Sequence, residues 1–178
     1  MLFNSVHFLW FLPLVVMVYY LLPVRWRWGM VLVASYAFYI WWRVEFIALI
    51  VGTTLIDYWV GLQMGKREEP RRRLPFLLLS LAVNLGLLIT FKYLGFFASS
   101  LNAVAGTDLP VLNLLLPLGI SFHTFQSVGY VVDVYRGRID PERHLGHFAV
   151  FVAFFPQMVA GPIERYDALG RNWAGIFH

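Results

Sequence analysis

The sequence predicts an all-α, multi-pass transmembrane protein with about six membrane segments and its N-terminus outside. Three observations predict it: an apolar composition, a succession of apolar runs near bilayer length, and basic loops between alternate runs. Of the 178 residues, 60% are hydrophobic, 18% aromatic and 13% charged. A soluble domain carries about 25% charged residues, and one of this size would expose large sticky patches if built from this composition. Mean hydropathy is +0.67.

The first apolar run, Val6 to Pro23, has no Lys or Arg before it and no small-residue cleavage site after it. It reads as a retained membrane helix rather than a signal sequence, with Tyr19 and Tyr20 placed for an interface. Trp28 to Trp42 is a second, aromatic-rich run. Phe46 to Met64 is the third. The basic loop Lys66 to Arg73 follows, and Leu74 to Phe91 forms the fourth run, with a weaker apolar tail through Phe97. A Gly-, Asn- and Pro-containing connection leads to a fifth run, Leu114 to Tyr135. Arg136 to Arg143 is a charged loop, and His147 to Val159 is a short sixth run.

Charge sets the orientation. With the N-terminus outside, Arg25, Arg27, the five basic residues of loop 66–73, Arg136, Arg138 and Arg143 lie in the cytoplasm, and Arg43 and Lys92 lie outside. That is ten against two, as the positive-inside rule requires. The net charge of +4 is therefore a matter of topology. No basic face interleaved with aromatics is present, so nucleic acid is not an expected partner.

The second and sixth runs are short. Fifteen residues reach about 22 Å at 1.5 Å per residue, against a hydrocarbon core of about 30 Å. Pro156 and Pro162 flank Gly161, so the sixth run is expected to break there. Backbone that stops at membrane depth must be buried in protein or line a cavity.

Cysteine is absent, which excludes disulfides and thiolate chemistry. His144 and His147 are three apart but lack a third ligand, so no metal site is expected. Polar residues inside apolar runs are the candidates for function. Asp57, within the third run, reads either as a cavity-lining or proton-handling carboxylate or, preferably, as a partner for a neighbouring helix. Asn84 reads as an interhelical hydrogen-bonding residue. Gln63 and Ser80 read as helix-end residues without a special role. On the fifth run His123, Gln126, Tyr130 and Asp133 fall at offsets 0, 3, 7 and 10, within one arc of roughly 80° at about 100° per residue. Such a stripe faces either a polar bundle interior or a passage, and the spacing leaves both open.

These residues carry a resemblance. Pro117-Leu118-Gly119-Ile120-Ser121-Phe122, Thr124-Phe125-Gln126, Tyr130, Asp133 to Gly137, Phe155-Pro156 and Gly161-Pro162-Ile163 resemble the alginate O-acetyltransferase branch of the membrane-bound O-acyltransferase family. Met1 to Ser5, Ala34-Ser35-Tyr36 to Trp41-Trp42, and Leu55 to Tyr58 are similar to the same branch. The likeness runs over residues 1–166, the N-terminal part of the family's transmembrane domain. Residues 167–178 form a short tail that matches it poorly.

The resemblance implies an incomplete copy of a fold in which tilted and broken helices ring a thin centre with a tunnel. His123, Gln126, Tyr130 and Asp133 would line that tunnel. It implies transfer of an acyl group from a thioester donor, acetyl-CoA or an acyl carrier, to hydroxyls of an exported polysaccharide. Membrane lipid and periplasmic acetylation proteins are the implied partners, no cofactor is implied to stay bound, and the location is the bacterial inner membrane. The family's catalytic histidine follows a Trp-Arg-Arg-Trp type stretch, and none occurs in these 178 residues. His123 does not inherit that role, so no catalytic residue is assigned. The chain is expected to be the front part of a longer enzyme, or alternatively a non-catalytic scaffold derived from one.

Overall fold

The computed structural model describes residues 6–41, 44–106, 119–160 and Tyr166. Among these it has α-helices and no strand: α1 (Val6–Leu21), α2 (Val24–Ile40), α3 (Glu45–Gly65), α4 (Pro70–Ala105), α5 (Ile120–Tyr135), α6 (Leu145–Ala153) and α7 (Phe155–Ala160). Two of them, over Phe46–Gly65 and Pro70–Tyr93, are long and apolar enough to cross a membrane. The start of the fifth run, the Gly161-Pro162 stop and the tail 167–178 lie outside the described residues.

The helices run up and down. His7 at the start of α1 meets Trp41 after α2, with ring centroids 5.7 Å apart, and Phe46 of early α3 meets Phe91 of α4 at 6.4 Å. At the other end Trp28 of α2 stacks edge-on against His144 at 4.9 Å and His147 at 6.0 Å. There the Arg73 guanidinium donates to the carbonyls of Val134 and Tyr135 at 3.4 and 3.5 Å. The three basic loops therefore converge on one end of the bundle.

Helix α3 packs on α4, α5 and α6, and α2 packs on α6. One apolar cluster joins Val60 and Met64 of α3 to Tyr130, Val131 and Val134 of α5 and Phe148, Phe151 and Val152 of α6. Another joins Phe38 and Tyr39 of α2 to Ile50, Ala153 and Phe155. Helix α1 buries none of its residues; Phe8 and Phe11 touch the second cluster from outside. Apolar side chains such as Trp10, Val33 and Phe96, each more than half exposed, cover the outer faces.

Helix ends follow local chemistry. Pro70 opens α4 at a position where its missing amide costs nothing. Gly106, at φ 64°, closes α4 in the left-handed conformation. Helix α4 is continuous over 36 residues, where an apolar run fading after Phe91 was expected. At 1.5 Å per residue it extends about 54 Å, more than the hydrocarbon core of about 30 Å. Helix α5 ends in a Schellman motif: Arg138 N donates to Asp133 O at 3.0 Å and Gly137 N to Val134 O at 3.1 Å, with Gly137 at φ 66°.

The sixth run carries a break ahead of the expected one. Helix α6 stops at Ala153, Phe154 is extended, and α7 restarts at Phe155. Pro156 is the cause. Within a continuous helix its ring would clash with the carbonyl of Val152, and it has no amide to donate there. At the second position of a new helix neither problem arises.

Candidate functional site

Polar groups from three helices meet in the middle of the bundle. Thr53, Asp57 and Gly61 recur every four residues along one face of α3, and His123, Ser127 and Tyr130 recur every three or four along α5. Ser80 and Asn84 are four apart on α4. These spacings put each set on a single helix face, and the faces point at one another.

At the first level, Thr53 Oγ1 and His123 Nε2 are 2.7 Å apart, and Thr53 also donates to the Leu49 carbonyl at 2.9 Å. At the second, the fully buried Asp57 carboxylate accepts from Ser80 Oγ at 2.5 Å and from Asn84 Nδ2 at 2.9 Å to each oxygen. Ser127 lies on a further side of this carboxylate, but its hydroxyl reaches no hydrogen-bond geometry among the described residues. Ser80 is thus an interior residue bound to Asp57, which corrects its reading as a helix-end residue. Helix α4 begins ten positions before it, so no end is near.

At the third level, the Tyr130 hydroxyl accepts from the Glu142 amide at 3.0 Å. A Cβ built on Gly61 would sit 2.8 Å from that hydroxyl, so only glycine lets α3 pass Tyr130 so closely. Tyr166 donates to the Glu142 carboxylate and meets Tyr130 and Phe151 edge-to-face. Burial first, then the bond to Glu142 and its charge, push the Tyr166 hydroxyl well above its usual range, so it remains a donor to Glu142.

The four stripe residues of α5 are all buried and serve different neighbours. His123 and Tyr130 face α3. Gln126 Nε2 donates to the Phe151 carbonyl at 2.9 Å and to Gln157 Oε1 at 3.2 Å. Asp133 accepts from Arg138 at 3.3 Å, beside its own helix end. His144 caps α6 by accepting from the His147 amide at 3.2 Å. No group of three metal-ligating side chains occurs among the described residues.

The break between α6 and α7 belongs to the same network. The Phe151 carbonyl, freed of its helical partner, is taken by Gln126, and the freed Phe155 amide donates to Ser35 Oγ of α2 at 3.4 Å. The Val152 carbonyl lies beside the His123 ring, although His123 Nδ1 itself makes no hydrogen bond among the described residues.

A probable alginate O-acetylase of Pseudomonas putida is 47% identical over 177 residues, covering 95% of this chain and 36% of the relative. One from Azotobacter vinelandii is 44% identical, covering 95% and 35%. A peptidoglycan O-acetyltransferase of Helicobacter pylori is 31% identical, covering 95% and 38%. The chain belongs to the membrane-bound O-acyltransferase family. It spans about a third of the length of the curated relatives it matches. No family model matches it, and no solved structure matches it.

Within this membrane-bound O-acyltransferase chain, sequence reasoning found Asp57, Asn84, His123, Gln126, Tyr130 and Asp133. It missed Ser35, Thr53, Ser80, Ser127, Glu142 and Tyr166. The four-residue spacing of Thr53, Asp57 and Gly61 was a signal for the first of these partners on α3. Glu142 gave no such signal, because loop residues carry no periodicity.

Proposed function

We propose that this chain forms the N-terminal part of a multi-pass O-acyltransferase of the bacterial inner membrane. That enzyme transfers an acyl group, acetyl in this branch, from a thioester donor to hydroxyls of an exported polysaccharide such as alginate, helped by periplasmic proteins. The observation that carries the reading is the 47% identity to a probable alginate O-acetylase across nearly the whole chain. The donor would be acetyl-CoA or an acyl carrier.

The orientation places the N-terminus outside, α1 to α5 as five segments and α6 with α7 as a broken sixth. Convergence of the three basic loops on one end supports it, because the positive-inside rule then puts that end in the cytoplasm. The inward face of α5, with His123, Gln126, Tyr130 and Asp133, forms one wall around the passage where donor and acceptor meet.

The transfer needs a base to take the acceptor hydroxyl proton and donors to hold the developing oxyanion. No residue described here is assigned as that base. His123 is committed to Thr53, which suits a wall residue that fixes α5 against α3.

The test is deletion of the gene at its own locus, with acetyl esters on the exported polysaccharide measured before and after restoring it. Loss and return of the esters is expected. Esters unchanged by deletion would overturn the enzymatic reading and leave the scaffold alternative.

A further inference from the structure

An apolar groove of about 340 Å³ opens between α2 and α3 and is floored by α6. Trp28, Leu32 and Tyr36 line one side, Val51 and Leu55 the other, and Ala149 the floor. Small residues make the space: Gly146 and Ala149 present almost no side chain, and the Trp28 indole lies directly on Gly146. Thr54 also borders the groove, but its hydroxyl is tied to the Ile50 carbonyl at 2.6 Å. The groove therefore offers an occupant almost nothing polar.

Its mouth is different. Arg25, Trp28, Leu32 and Tyr36 are spaced three, four and four apart, so Arg25 continues the groove-lining stripe of α2 one turn outward. It is exposed. On the opposite side Tyr58 donates to the Arg143 carbonyl at 2.5 Å, which holds exposed Arg143 beside α3 at the same end. The groove thus runs from Tyr36 and Val51 toward the end of the bundle at which Arg25 and Arg143 are exposed.

We propose that this groove seats one acyl chain of an anionic phospholipid, with the headgroup phosphate at Arg25 and Arg143. An apolar slot at membrane depth ending in positive charge matches an amphiphile with a chain and an anionic head. A reactive acyl thioester fits less well, since no polar group in the slot would orient its carbonyl. Each arginine near a membrane surface favours an anionic lipid roughly fivefold. The inference uses only the shared end of the basic loops, not which leaflet that end faces.

The test uses the full-length protein in nanodiscs of phosphatidylcholine, with a phosphatidylglycerol probe carrying a diazirine in its acyl chain. A nanodisc exposes both faces, so a failure here is separate from a failure of the proposed orientation or activity. Crosslinks are expected to concentrate on residues 28–36 and 51–55. Unlabelled phosphatidylglycerol should compete about 25-fold better than phosphatidylcholine, fivefold for each arginine. Leu55→Trp should cut labelling several-fold by filling the slot, and Arg25→Gln should lower the headgroup preference about fivefold while keeping the label. Even labelling over the exposed faces of α1 and α4 would overturn the proposal. So would competition by a long-chain acyl-CoA but not by phosphatidylglycerol, or an unlabelled groove filled by another segment of the protein. If Leu55→Trp fails to fold, the wild-type competition still decides.

Discussion

The Phe151 carbonyl and the Phe155 amide are the acceptor and donor of one helical hydrogen bond that is not made. Gln126 of α5 takes the first and Ser35 of α2 takes the second. A break in a membrane helix leaves groups that lipid cannot satisfy. Here two other helices satisfy them, and each is thereby fastened to the break.

Gln126→Ala should lower stability by about 1–2 kcal/mol, because a buried carbonyl loses its donor. Ser35→Ala should cost less, since its bond is long. Pro156→Ala restores an amide and removes the clash, so adding it to Gln126→Ala should recover part of the loss. Thermal unfolding of the full-length protein in detergent measures this. A double variant less stable than Gln126→Ala alone would show that the proline is not what holds the helix open.

The Asp57 and Asn84 side chains should be coupled. Asn84→Ala leaves the carboxylate with Ser80 alone as a hydrogen-bond donor and should cost about 2 kcal/mol. Interhelical polar pairs in membranes are individually modest, about 0.6–1.7 kcal/mol, so the double-mutant cycle with Asp57→Ala should give a coupling near 1 kcal/mol. Purely additive losses would argue against a direct pair.

Gly146 is held by contact with an aromatic ring. A Cβ there would overlap the Trp28 ring, and such overpacking costs about 1–3 kcal/mol. Gly146→Ala should therefore destabilise the chain that keeps Trp28, and cost little more in a chain already carrying Trp28→Ala. Unfolding midpoints of the single and double variants decide it.

Cysteine is absent from these 178 residues, so thiols introduced here map the sides of this part of the chain, with the unsubstituted protein as the labelling blank. Glu68→Cys and Asp140→Cys, both in exposed basic loops, should react with an impermeant maleimide only after cells are opened. Ala103→Cys, near the far end of α4, should react in intact cells. The opposite pattern would invert the proposed orientation.

Much of the scaffold was legible because apolar runs, proline and loop charge act locally. The run from Phe46 to Met64 predicts α3 to within a residue at each end. The run from Trp28 misplaces the start of α2 by four residues, because Arg25 and Arg27 read as loop yet sit in its first turn. The polar network was legible only in part. Asn84 declares itself by standing in an apolar run, whereas Ser35, Thr53 and Ser80 are small and common in such runs. Their role comes from what the neighbouring helix presents, and no single run contains that information. The break at Phe154 was not expected in addition to the one at Gly161-Pro162, which lies outside the described residues. Pro156 acts first, as it lies nearer the end of α6.

The approach of Gly61 to Tyr130 constrains how this chain can diverge. Any side chain at 61 demands a smaller group at 130, and a smaller group at 130 without a hydroxyl abandons the Glu142 amide and the ring under Tyr166. Neither position can change first without loss. Two residues 69 apart are tied into one unit of inheritance, and a lineage altering this contact must rebuild the loop after α5 in the same stroke.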